Sequence, residues 1–168
     1  MGNIEVLWNN LNRFLTEAAL KYDSEDRSIL EIGPSDIHKT AKDYFIKSNI
    51  KTFDILPQLR PDYVGDLCKD NSAVIPNDSF DYILCCEVLD HVTQPFCAVE
   101  EMRRMLKPKG LVFVSTPFAL QIHPPFPDCW RFTEYGLLAL FKSFDIVKIE
   151  CVGDRGFPVQ YTTIARKK

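Results

Sequence analysis

Apolar side chains at Ile4, Leu7, Trp8, Leu11, Leu15, Ala18 and Tyr22 recur at helical spacing, which predicts an amphipathic helix over 1–22 with one stripe packed on the rest of the domain. A polar stretch, 23–27, then leads into a short β-compatible run, 28–32, that stops at Gly33 and Pro34. Ile37, Ala41, Tyr44 and Phe45 return to helical spacing, and 50–55 reads as a second strand that carries Asp54 near its end. The run from Phe80 to Cys86 is almost continuously apolar, as expected of a parallel strand covered on both faces.

Pro95 opens a further helix, with Phe96, Val99, Met102 and Leu106 on one face and Glu100, Glu101, Arg103 and Arg104 on the other. The stretch 107–110 contains Pro108 and Gly110 and cannot continue it, and 111–115 resumes as a strand before Thr116 and Pro117. Thr133 is placed to cap a short helix carrying Leu137, Leu138, Leu140 and Phe141, after which 144–151 and 159–165 complete the strands. This alternation predicts one α/β domain over 1–168 with a mainly parallel sheet, right-handed crossovers and a C-terminal antiparallel strand. One connection departs from the pattern. Too few residues separate Ile55 from Tyr63 for a crossover helix, which needs about a dozen, so the helix after the second strand is missing. The segment 62–67 is then either a short edge strand or an extended loop.

Composition narrows the partners more than the fold. With 46% hydrophobic and 26% charged residues the chain is of ordinary globular type, and its length of 168 residues suits one core. A formal charge of −3 gives no general attraction to phosphate backbones, so nucleic acid is not expected as a partner. Arg103, Arg104, Lys107 and Lys109 cluster, but on a helix and its exit turn, where a solvated face is the ordinary explanation. No apolar run reaches the roughly 18 residues of a membrane span, and the start lacks both a signal-peptide pattern and a myristoylation pattern. The six cysteines form no Cys-x-x-Cys pair and read as reduced thiols, which fits a cytoplasmic protein, and no metal is expected.

Open α/β sheets bind ligands beyond the carboxyl ends of their strands. The informative residues lie there: Glu31, Gly33, Pro34 and Ser35 end the first strand, Asp54 follows at roughly the twenty-residue interval of nucleotide sites, and Asp66, Cys86 and Glu87 come later. A carboxylate at Asp54 can accept hydrogen bonds from both hydroxyls of a ribose, although a turn aspartate would occupy the same position. A dinucleotide requires Gly-x-Gly-x-x-Gly, whereas Ser35 and His38 stand at the second and third glycine places. A nucleoside without phosphates escapes that requirement.

The motifs Leu30-Glu31-Ile32-Gly33-Pro34-Ser35 and Ser79-Phe80-Asp81-Tyr82-Ile83-Leu84-Cys85-Cys86-Glu87-Val88-Leu89-Asp90-His91-Val92 resemble the first and fourth motifs of class I S-adenosylmethionine-dependent methyltransferases of the type 11 group. Asn77-Asp78, Arg104-Met105-Leu106-Lys107-Pro108-Lys109-Gly110 and Ser115-Thr116-Pro117-Phe118 are similar to the family in order and spacing, and Pro127-Asp128-Cys129-Trp130-Arg131-Phe132-Thr133 resembles the signature of a small bacterial subgroup. The resemblance implies a Rossmann-like methyltransferase sandwich that binds S-adenosylmethionine and releases S-adenosylhomocysteine. It implies that Glu31, Gly33 and Ser35 lie beside the methionine part, that Asp54 holds the ribose, and that Asp66 with Leu67 meets the adenine, with Pro34 and Ile55 also among the cofactor-binding residues. Cys86 and Glu87 would contact the methionine portion. The acceptor would be oxygen or nitrogen of a small molecule, a sugar or glycan precursor by family analogy, and a homodimer is compatible with it. The departures are Pro34, Ser35 and Ile37 in place of a glycine-rich continuation, together with the absent helix. They also admit a binding protein that keeps the fold and the ligand without turnover.

A sulfonium methyl is already activated, so alignment and exclusion of water matter more than a strong base. For a hydroxyl acceptor, His91 after the central strand and His123 after the next one are candidate proton acceptors, His91 ranking first; either one also suits a loop without chemistry. Trp130 and Arg131 are candidates for holding an anionic or sugar-like acceptor, with core packing and an acidic partner as the competing account. Cys85 and Cys86 are read as packing residues.

Overall fold

The computed structural model describes residues 2–34, 39–124 and 127–168. Ser35 and Ile37 therefore lie outside the described residues. Helix α1 (Asn3–Tyr22) buries Leu7, Leu11, Phe14, Leu15 and Ala18, the stripe the opening periodicity requires. It ends at Asp23, whose carboxylate accepts hydrogen bonds from the Lys47 and Ser48 backbone and the Ser48 hydroxyl, tying the end of the helix to the entry of the second strand.

Seven strands follow: β1 (Ser28–Ile32), β2 (Asn49–Asp54), β3 (Tyr63–Val64), β4 (Phe80–Cys86), β5 (Leu106–Pro117), β6 (Phe144–Asp154) and β7 (Phe157–Lys167). They form one sheet in the order β3-β2-β1-β4-β5-β7-β6. The first five pair in parallel, and β7 runs antiparallel to both β5 and β6. Two helices lie between later strands, α2 (Pro95–Met105) and α3 (Glu134–Leu140), the latter capped by the Thr133 hydroxyl on the Gly136 amide. One face of the sheet packs Tyr82, Leu84, Phe113 and Ile164 against α1 and Phe45. The other packs Ile83, Val112, Val114 and Tyr161 with Met102 of α2 and Leu137 of α3. Alternate residues of β4 thus serve opposite cores, which is why its sequence shows no polar alternation.

The absence of a helix between β2 and β3 holds: a 3-10 turn, Pro57–Leu59, spans the gap. The segment 62–67 does contain a strand, the two-residue β3, in register with Phe53 and Asp54. Two expectations are corrected. Among the described residues the helical spacing through Ala41, Tyr44 and Phe45 yields a 3-10 turn at Ala41–Asp43, capped by Thr40, Asp43 and Glu31, and the amides of Lys47 and Ser48 that would extend it donate to Asp23 instead. On α2 the inward face is Ala98, Val99, Met102 and Met105, while Phe96 is 57% exposed. Glu101, assigned to the outer face, is buried. It accepts hydrogen bonds from the Asn71 backbone and side chain and from Arg104, so it fastens the helix-free segment between β3 and β4 to α2.

Candidate functional site

Register sets the site. Ile32 stands opposite both Phe53 and Cys85, so Gly33, Asp54 and Cys86 leave the sheet side by side at one level, with Ser115 of β5 opposite Cys86. Gly33 has φ +63°, and a Cβ there would lie 2.7 Å from Val88 Cγ2, so any other residue would strain the backbone and push the Val88 side chain aside. Its amide donates to the Phe53 carbonyl, locking the turn to β2. Beside it, Glu31 Oε1 accepts the Ala41 amide at 2.7 Å, and buried Oε2 has no hydrogen-bond partner among the described residues. Burial raises the Glu31 pKa.

Asp54, 9% exposed, takes the Leu56 amide on Oδ1 at 2.7 Å, while Ile55 and Leu56 beyond it are exposed. Asp66 caps its own turn through the Cys68 amide and pairs with Lys69, and Leu67 is part of the core. Pro34 follows the turn half-buried. Burial, with the Glu87 charge, pushes the Cys86 thiol up to about 12, so it is no thiolate at neutral pH.

Glu87 adopts φ +54° at the exit of β4. Its Oε1 accepts from the Ser115 hydroxyl at 2.6 Å and the Gln160 amide at 2.8 Å, and Gln160 in turn accepts from Asn10 of α1 at 2.7 Å. Burial and the nearby Asp90 push the Glu87 carboxyl up to about 7 despite these donors.

The chain after β4 and the chain after β5 meet in a polar cluster. Asp90 is 0% exposed, neither carboxylate oxygen has a hydrogen-bond partner among the described residues, and burial raises its pKa. His91 Nε2 lies 3.3 Å from Asp90 Oδ2, and its Nδ1 lies 3.0 Å from the Pro127 carbonyl. The His91 and His123 rings are 5.1 Å apart between centroids. His123 Nδ1 lies 2.9 Å from Asp128 Oδ2, and Asp128 is held well below the usual carboxylate range chiefly by Arg131, which grips both its oxygens. Arg131 is therefore committed to an internal ion pair. Trp130 donates its indole N–H to the Val92 carbonyl at 2.7 Å and stacks on Phe132, leaving part of the ring exposed. The Cys129 and Trp130 amides donate to the Asp90 carbonyl, which seams the two chain segments together.

Sequence reasoning singled out His91 and His123 but missed Asp90 and Asp128, although each lies within a quoted motif. An acidic residue directly preceding a histidine, and a second one five residues after a histidine, were the available signals.

A family model described as a methyltransferase domain matches residues 7–149. A ubiquinone biosynthesis O-methyltransferase of Klebsiella pneumoniae subsp. pneumoniae is 36% identical over 58 residues, which is 34% of this chain and 24% of that protein. The match thus spans about a quarter of the curated relative. Among solved structures, a putative methyltransferase from Bacillus halodurans superposes with a TM-score of 0.75 at 13% identity, covering 95% of this chain and 99% of that one. The N-methyltransferase NodS from Bradyrhizobium japonicum gives 0.68 at 15% identity, covering 94% and 96%. The [4+2]-cyclase SpnF gives 0.69 at 15%, covering 95% and 80%, so this fold also serves a different reaction.

Proposed function

This chain belongs to the methyltransferase domain family, and from that premise we propose that it moves a methyl group from S-adenosylmethionine to an oxygen or nitrogen of a small molecule, a sugar or glycan precursor being the acceptor class. The observation that carries the reading is the common level of Gly33, Asp54 and Cys86 at the strand ends. The residues fit the cofactor. Gly33 keeps the first turn tight, the unpartnered Glu31 oxygen suits an ammonium group, and Asp54 suits a ribose diol. Exposed Ile55 and Leu56 offer apolar surface beside it for a base, and Pro34, Ser35, Asp66, Cys86 and Glu87 complete the proposed lining. S-adenosylmethionine supplies the activated methyl.

The protein's own share is alignment, shielding and handling of one proton. His91 and His123 are proposed to stand on the acceptor side, where a neutral ring takes the proton of an acceptor hydroxyl. Trp130, with part of its ring exposed, would cover a sugar face, and Arg131 would act by holding Asp128 rather than by touching the acceptor.

A binding protein without turnover is the second reading, favoured by the 3-10 turn that replaces a crossover helix after β2. Calorimetric titration with S-adenosylhomocysteine tests the cofactor assignment: one equivalent is expected, and Asp54→Ala should weaken it by about 1–3 kcal/mol. Absence of binding at millimolar ligand refutes both readings. Binding without methyl transfer to any hydroxyl or amine acceptor selects the second.

A further inference from the structure

We propose that Asp90, His91 and His123 form a binding site for one divalent first-row transition cation such as Zn²⁺ or Co²⁺. Each of the three residues offers a ligand atom, and these atoms lie within 4.8 Å of one another. Two imidazole nitrogens and one carboxylate are a donor set suited to such ions, which hold such ligands at about 2.1 Å.

The hydrogen-bonding pattern points to a ligand. A carbonyl oxygen only accepts, so the Pro127 contact puts the proton of a neutral His91 ring on Nδ1 and leaves the lone pair on Nε2. That lone pair faces Asp90 Oδ2 at 3.3 Å, one acceptor against another. Both Asp90 oxygens are otherwise without a hydrogen-bond partner among the described residues in a fully buried side chain, a placement that a bound cation relieves. His123 repeats the arrangement: Asp128, ionised by its bidentate ion pair with Arg131, fixes the proton on Nδ1 and leaves Nε2 as the donor. An imidazole whose second nitrogen is bonded to a carbonyl or carboxylate is the usual form of a metal-ligating histidine. Pro127 and Asp128 supply those outer partners here. Arg131 and the Cys129 and Trp130 amides then brace the loop that carries them.

Two histidines and one carboxylate leave coordination positions open, so the ion also has room for an acceptor hydroxyl. In the loaded protein the rings would hold the cation, which would supply Lewis-acid activation of an acceptor hydroxyl in place of an imidazole base. The cation site rests on the cluster geometry alone and stands whether or not the methyl-transfer reading does.

The test uses the whole chain, freed of metal with a chelator and exchanged into chelator-free buffer, and titrated with Co²⁺ by visible absorption and with Zn²⁺ by calorimetry. One equivalent is expected, with the ligand-field bands of a nitrogen- and oxygen-bound Co²⁺. Asp90→Asn and His123→Ala should each lose about tenfold or more in affinity, and Asp128→Asn, which removes an outer partner, about 10- to 100-fold. Cys129→Ser, an exposed thiol beside the cluster, should bind as the parent does. Binding by the parent no tighter than by Asp90→Asn overturns the proposal and leaves a proton between His91 and Asp90. Loss of binding in Cys129→Ser overturns it in favour of a thiol site. Should Asp90→Asn fail to fold by circular dichroism, His123→Ala, a half-buried ring, decides by the same comparison. S-adenosylhomocysteine titrated into the same metal-free protein reports on the cofactor reading separately.

Discussion

At Gly33 one residue satisfies two constraints at once, a left-handed backbone and a 2.7 Å approach of any added Cβ to Val88. Gly33→Ala is expected to lower unfolding free energy by about 1–3 kcal/mol in a urea titration, since both the strain and the displaced Val88 count against it. Unchanged stability would mean that the turn relaxes freely. Neighbouring Pro34 shows where sequence reasoning worked at this scale: a Gly-Pro pair after five β-compatible residues marks a strand end whatever follows. Asp90 shows where it did not. Nothing in the order of residues says that its carboxylate is buried, because that depends on the return of the chain at 127–131 to cover it. The same holds for Arg131, whose charge is absorbed by a neighbour three positions away.

Elements were legible to the extent that their pattern was carried by packing on apolar surface, one face of it for α1 and both faces for β4. Helix α1 and strand β4 each face a continuous apolar surface, and both emerge where the pattern puts them. The turn at Ala41–Asp43 had helical spacing as well, but Asp23 takes the Lys47 and Ser48 amides that would have extended it. Glu101 reads as outward on a helical wheel and is inward because the β3–β4 segment lacks a helix of its own and needs an anchor. At the lower edge of the sheet, Asp81 joins three elements: it accepts from Arg27 and Ser28 before and within β1 and from Lys107 in β5. Burial opposes its charge, yet these donors outweigh burial and hold the carboxyl well below the ordinary aspartate range. A depressed folded pKa means that the stabilisation is present above the unfolded value near 3.9 and is lost as pH falls below it. Acid unfolding of the parent should therefore be steeper below pH 4 than that of Asp81→Asn, which is itself about 1.5–3 kcal/mol less stable at pH 7. Parallel acid curves for the two proteins would exclude Asp81 as the group responsible.

The molecule as a whole joins its N-terminal helix to the strand ends through a buried polar line, Asn10 to Gln160 to Glu87, with Ser115 at the side. Asn10→Ala leaves the Gln160 oxygen without that donor in a fully buried position and is expected to reduce stability by about 1–3 kcal/mol in thermal or urea unfolding. A neutral result would show that water replaces the amide. No helix among the described residues is long and apolar enough to cross a membrane. The sheet order has one more effect. β7 is synthesised after β6 yet sits between β5 and β6, so on the ribosome β5 emerges with a bare edge and keeps it until the final hairpin slides in beside it. A nascent chain of this protein thus offers a sticky border to its neighbours on a polysome, and crowding during translation, more than heating of the finished molecule, is the circumstance in which it should aggregate.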